Sequence, residues 1–147
     1  KGESYLAGCI FRNNLLKLDR HVTMADDGGL QTLHVKNGKP GDLFLFLSYS
    51  GIHYDYSKYA ATLSERGVKP CLITAFSDSV LAKQCDTVLP IPKSERVIGK
   101  VANYSSLISL TYTLQVIYSL IFNQDYQENY RVKREADSFI FTSFAEI

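Results

Sequence analysis

Ser48 and Ser50, with Gly51 directly after them, stand at the end of the unbroken apolar run Leu43–Leu47. Two hydroxyl donors and a glycine between an apolar strand and a helix over residues 54–66 make a loop suited to holding an anion. The free N–H groups of a first helical turn and the positive end of its dipole point into such a loop, and the serines add donors. These residue types favour a phosphate over a metal or a hydride donor. Tyr49 sits in the same loop and flanks whatever it holds. His53, at the helix start, is a contact to the anion, a general base, or an ordinary helix-start residue.

The other candidates lie far apart in sequence. Ser4 caps a helix, faces the anion, or does both. Thr74 ends a second apolar run and either reaches the same crevice or makes a structural hydrogen bond. Glu95 stands where a long helix is expected to begin, where it is a partner for a helix dipole or a general base. His21 and His34 have no partner at metal-ligand spacing and are read as structural; no metal and no cofactor is called for.

Those residues need a scaffold, and the apolar patterning supplies one. Five apolar residues without polar alternation suit a strand buried on both faces of a parallel sheet, so Leu43–Leu47 is expected at the sheet centre. Residues 4–20 read as a helix with Leu6, Cys9, Ile10 and Leu16 on one face. Residues 21–25 are extended, 26–29 a break, 30–35 one or two helical turns, and 37–42 a turn. Helix 54–66 carries Tyr56, Tyr59, Ala60 and Leu63 as a buried stripe, and Gly67 stops it. Strand 70–76 follows, then Ser79 capping a short helix through 84, then strand 87–91. Ser94 is expected to cap a long helix from about 95 to 122, with Glu95 in its first turn. Strands separated by helices indicate a right-handed α/β fold with a mostly parallel sheet and helices on both faces.

Within that long helix, residues 101–122 carry no charge. The stretch holds too many Ser, Thr, Asn and Gln residues for a membrane span, and Leu107, Leu110, Leu114, Ile117 and Ile121 form a seam with spacings of three and four. A helix buried between two subunits is expected. Arg131, Lys133 and Arg134 read as a solvated stretch, and residues 138–144 as a β-branched and aromatic run able to occupy a sheet edge. The chain opens on Lys1, Gly2, Glu3 and Ser4, which look like the loop after a first strand that the chain lacks.

The 147 residues form one domain, residues 1–147, with a net charge of +1, too weak a field to hold a nucleic acid backbone. Cys9, Cys71 and Cys85 are odd in number and lack C-x-x-C spacing, as in a reduced, cytoplasmic protein.

Together these pieces resemble the sugar isomerase (SIS) domain, most closely the effector domain of RpiR-type transcriptional regulators. The resemblance runs over about residues 1–122. Its motifs are Gly2-Glu3-Ser4, Pro40-Gly41-Asp42, Ser48-Tyr49-Ser50-Gly51, Ile73-Thr74, and the run from Ser79 through Leu81-Ala82-Lys83 to Asp86. It implies a three-layer α-β-α sandwich of flavodoxin-like type. It implies a phosphosugar held by Ser48 and Ser50, with Ser4 facing them and the backbone from Gly51 to His53 completing the cradle. His53 departs from the family, which usually has threonine there. Glu95 would then touch a sugar hydroxyl or serve as an isomerase base. The expected function is non-catalytic: a phosphorylated sugar or amino sugar shifts a homodimer or tetramer between arrangements, and DNA is read through a helix-turn-helix domain that this chain does not contain. A phosphosugar isomerase, or a domain that only dimerises, are the alternatives. No membrane is involved.

Overall fold

A computed structural model describes residues 2–145, with only the backbone at 143–145; Lys1, Glu146 and Ile147 fall outside it. Three parallel strands, β1 (Leu43–Leu47), β2 (Lys69–Thr74) and β3 (Thr87–Pro90), pair in the order β1-β2-β3. Side chains alternate across the sheet. Leu45, Leu47, Ile73 and Leu89 turn to one side, where α1 (Glu3–Leu16) and α4 (Ser105–Gln124) cover them. Phe44, Phe46, Leu72 and Val88 turn to the other, where α3 (Tyr54–Glu65) supplies Ala60 and Leu63, and α2 (Gly28–Asn37) supplies Val35. The result is the expected α-β-α sandwich.

Several expectations need correction. β1 is not central: β2 is, and its residues 70–74 are all buried, whereas Leu43 is 72% exposed and the rest of β1 is half-buried. Uninterrupted apolarity records that helices cover both faces of a strand, not that strands flank it on both sides. In α1 the buried face is Ala7, Gly8, Phe11 and Leu15, while Leu6, Ile10 and Leu16 are exposed. Small residues decide this, because a Cβ on Gly8 would lie 2.7 Å from Met24 Cε and 3.3 Å from Leu47 Cδ1. At Gly8 this face comes so close to Met24 and to Leu47 of β1 that a side chain there has no room, while Phe11 and Leu15 further along fill the core.

The long uncharged helix begins at Ser105, not near Glu95. Its seam faces the chain's own core: Leu110 and Leu114 are buried against Ala7, Phe11 and Leu15, with Leu107, Ile117 and Ile121 packed at the margin. Among the described residues it is the one helix long and apolar enough to cross a membrane by length and composition. Residues 138–144 do not form a strand; they continue α5 (Tyr126–Ala145), which folds back along α4. The charged stretch within α5 is paired rather than merely solvated: Arg131 bonds Glu128 and Glu135, and Lys133 bonds Asp137, at the i,i+3 and i,i+4 spacings that favour helix. Asn129 is buried and donates through Nδ2 to the carbonyls of Ile121 and Phe122, closing the C-terminal end of α4.

Candidate functional site

The loop after β1 is held from below by the end of β2. Ser48 N–H donates to the Ile73 carbonyl, and the Tyr49 carbonyl accepts from both Ala75 N–H (3.0 Å) and the Thr74 hydroxyl (2.9 Å). Inside the turn, Ser48 Oγ accepts the Gly51 N–H at 3.2 Å, which leaves its own O–H to donate elsewhere. Gly51 has φ +63°, and a Cβ there would sit 2.1 Å from Ser79 Oγ, so only glycine fits. Ser79 Oγ in turn accepts from Ala82 N–H; the helix expected to start at Ser79 is a single 3-10 turn, Ala82–Gln84, with Leu81 at its N-cap position.

Above the loop lies a cavity of about 410 Å³. Ser4 enters it from α1, Ser48, Tyr49 and Ser50 from the loop, and His53 from the N-cap position of α3. The N-terminal end of α3 and the hydroxyls thus line one cavity. His53 caps α3 with no side-chain hydrogen bond; its ring lies 5.1 Å from that of Tyr56, within a row that continues to Tyr59. Thr74 is fully buried beneath the loop, its hydroxyl bonded to Tyr49 O and Phe76 N–H.

Tyr49 ties the loop to the segment 91–104 that leads into α4. Its hydroxyl donates to the Glu95 carbonyl (3.0 Å) and accepts the Glu95 N–H (2.8 Å). The Glu95 carboxylate turns away from Tyr49 and caps α4: Oε1 accepts from Ser106 N–H and the Ser105 hydroxyl, and Oε2 from the Ser106 hydroxyl at 2.6 Å. Ser94 does not cap the helix; its hydroxyl meets that of Ser105. Glu95 thus meets the helix dipole as expected, but from across the loop 96–104 rather than from inside the helix. The Ser106 hydroxyl and N–H, with help from Ser105 and Lys100, hold its carboxyl down at about 2.

That shift has a testable sign. Glu95 ionises more readily in the folded chain than in the unfolded one, where 4.5 is ordinary. Its stabilising effect is therefore complete above about pH 4.5 and disappears as pH falls toward 2. Glu95→Gln is expected to lower the melting temperature at neutral pH and to flatten its decline between about pH 5 and 2. Parallel melting curves for the two proteins across that window would show that Glu95 is not a cap.

Sequence reasoning missed other groups in the cavity wall. Lys100 and Asn103 come from the 91–104 segment, Gln31 from α2, and Asp55 from α3. Lys100 left a faint trace, being the sole Lys or Arg between Arg96 and Arg131. A second recess of about 30 Å³, roughly the space of one water, shares Ser4, Tyr49 and Asn103 with the cavity and is lined by Glu3 as well. Glu3 Oε2 is buried there without a hydrogen-bond partner among the described residues.

Comparison with known proteins sets this geometry in context. The family model described as "SIS domain" matches residues 1–121. An uncharacterized HTH-type transcriptional regulator of Caldanaerobacter subterraneus subsp. tengcongensis is 27% identical over 125 residues, covering 83% of this chain and 44% of the relative. The Vibrio vulnificus NanR protein complexed with ManNAc-6P superposes with a TM-score of 0.84 at 18% identity, over 97% of this chain and 53% of that one. The sugar isomerase domain of an RpiR transcription factor from Sphaerobacter thermophilus gives 0.76 at 23% identity, over 93% and 74%. The chain thus spans about half the length of the regulator and of NanR.

Proposed function

The chain belongs to the SIS domain family, and on that premise we propose that it is the phosphosugar-sensing, non-catalytic effector domain of a transcriptional regulator. The observation that carries the reading is the convergence of Ser4, Ser48, Ser50 and His53 with the start of α3 on one cavity at the carboxyl ends of parallel strands, where ligands bind in such sheets. The hydroxyls and free N–H groups take the phosphate, and the Tyr-lined wall takes the sugar or amino sugar. Gly51 and Thr74 shape the loop from below. The relatives named as transcriptional regulators support a DNA-reading helix-turn-helix domain outside this chain, and with it a cytoplasmic protein.

Catalysis by isomerisation needs a base poised near the working pH. Glu95, held at about 2 with both carboxylate oxygens engaged, is a poor one. No hydrogen bond orients the His53 ring among the described residues.

Ligand binding is transmitted through a homodimer. Tyr104, Ile108, Tyr112, Val116 and Leu120, four residues apart and 39–70% exposed, form a ridge on the outer face of α4. Ridges at that spacing pack against each other in the commonest helix–helix geometry, and an uncharged face suits a two-fold contact that sets like against like.

A thermal-shift series with sugar phosphates, ManNAc-6P among them, tests the reading. A ligand at ~100 times its dissociation constant stabilises by roughly 2.7 kcal/mol, which raises the melting temperature by about 5–10 °C. Absence of any shift across the series, or turnover of one of the sugars, overturns it.

A further inference from the structure

Resting on the phosphosugar reading of the cavity, we infer that Lys100 is the cation that pairs with the ligand's phosphate. The serine loop supplies dipoles and hydroxyls but no full positive charge, and the first turn of α3 adds the Asp55 carboxylate to the same wall. A dianion needs a counter-charge there. Lys100 lines the cavity with Ser48 and Ser50, and its Nζ lies 5.1 Å from the ring centroid of Tyr49, the residue between them. The side chain is 26% exposed, so it is reachable without being freely solvated.

Its present partner leaves it available. Nζ is 3.6 Å from Glu95 Oε2, beyond the 2.7–2.9 Å of a charge-assisted hydrogen bond, and its N–H groups meet no hydrogen-bond acceptor among the described residues. Lys100 contributes least among the groups that hold Glu95 ionised, and without it Ser105 and Ser106 still satisfy both carboxylate oxygens. Lys100 can therefore transfer to a phosphate without orphaning a buried charge, and the aromatic face of Tyr49 guides it on either side of that exchange. The 91–104 segment, already fastened to the loop through Tyr49 and Glu95, is thereby drawn onto the occupied site.

Calorimetric titration with inorganic phosphate and with ManNAc-6P tests the assignment on wild type, Lys100→Met and Lys100→Arg. Lys100→Met is expected to weaken both ligands by about 10- to 100-fold and to reduce the loss of affinity with added salt. Lys100→Arg should keep most of the affinity, and the unliganded melting temperature of both variants should stay within about 2 °C of wild type. Hydrogen exchange supplies a readout that a merely structural lysine would not move: amides of 96–102 slow on ligand addition in wild type but not in Lys100→Met. Wild-type affinity in Lys100→Met overturns the role of Lys100 and leaves the pocket reading standing. A wild type that binds neither probe overturns the pocket reading itself.

Discussion

Alanine at both Ser48 and Ser50 is expected to lower affinity for a phosphosugar by about two to four orders of magnitude. Each hydroxyl lost removes a hydrogen bond to a charged group, about 1.5–3 kcal/mol apiece, at ~1.4 kcal/mol per tenfold. The two serines are not equivalent, and this makes the experiment sharper. Ser48 is 5% exposed and its oxygen satisfies the Gly51 N–H. Ser48→Ala therefore strands a buried donor and costs the unliganded fold about 1–3 kcal/mol as well. Ser50 makes no such internal bond among the described residues, so Ser50→Ala should weaken binding alone. Isothermal titration beside thermal melts separates the two effects, and unchanged affinity in the double variant would place the ligand elsewhere.

Leu114→Asp is expected to leave the chain unfolded at 25 °C. Leu114 is 1% exposed among Ala7, Phe11, Leu15 and Leu110. Truncation to alanine at such a site costs about 2–5 kcal/mol; an unpaired carboxylate there adds the penalty of burying charge, against a total stability of only about 5–15 kcal/mol. Tyr112→Asp, two residues away and 70% exposed on the outer ridge, should keep its helical circular dichroism and, by light scattering, run as a monomer where the proposed wild-type homodimer does not. The pair separates the inner and outer faces of α4. A cooperatively folded Leu114→Asp would show that the seam is not the core, and an unaltered mass for Tyr112→Asp would remove the outer ridge from the dimer contact.

Much of the local structure around the loop was legible before any fold. Leu43–Leu47 is a strand with the bounds its apolar run suggests, Ser48 to Gly51 is a tight loop, and α3 starts and stops close to where the residues indicate, with Gly67 at φ +75° just beyond it. These are contests among near neighbours in sequence, settled by backbone sterics and short-range hydrogen bonds, so residue types are enough to decide them. What lay beyond sequence reasoning is everything set by a partner distant in the chain. The face α1 buries depends on Met24 and Leu47 crowding Gly8, and hydrophobicity alone selected the wrong side. Glu95 caps a helix that begins ten residues later because Tyr49 holds its backbone in place, a role no local pattern encodes. Residues 138–144 favour strand by type but extend a helix already started at Tyr126 and braced by its ion pairs, since adding a turn to an existing helix is easier than nucleating a new strand. Lys100 joined the site only when the folded 91–104 segment brought it over Tyr49. Sequence determined the serine–glycine loop between strand and helix; the tertiary structure decided what surrounds it, because burial and charge pairing are properties of neighbours in space.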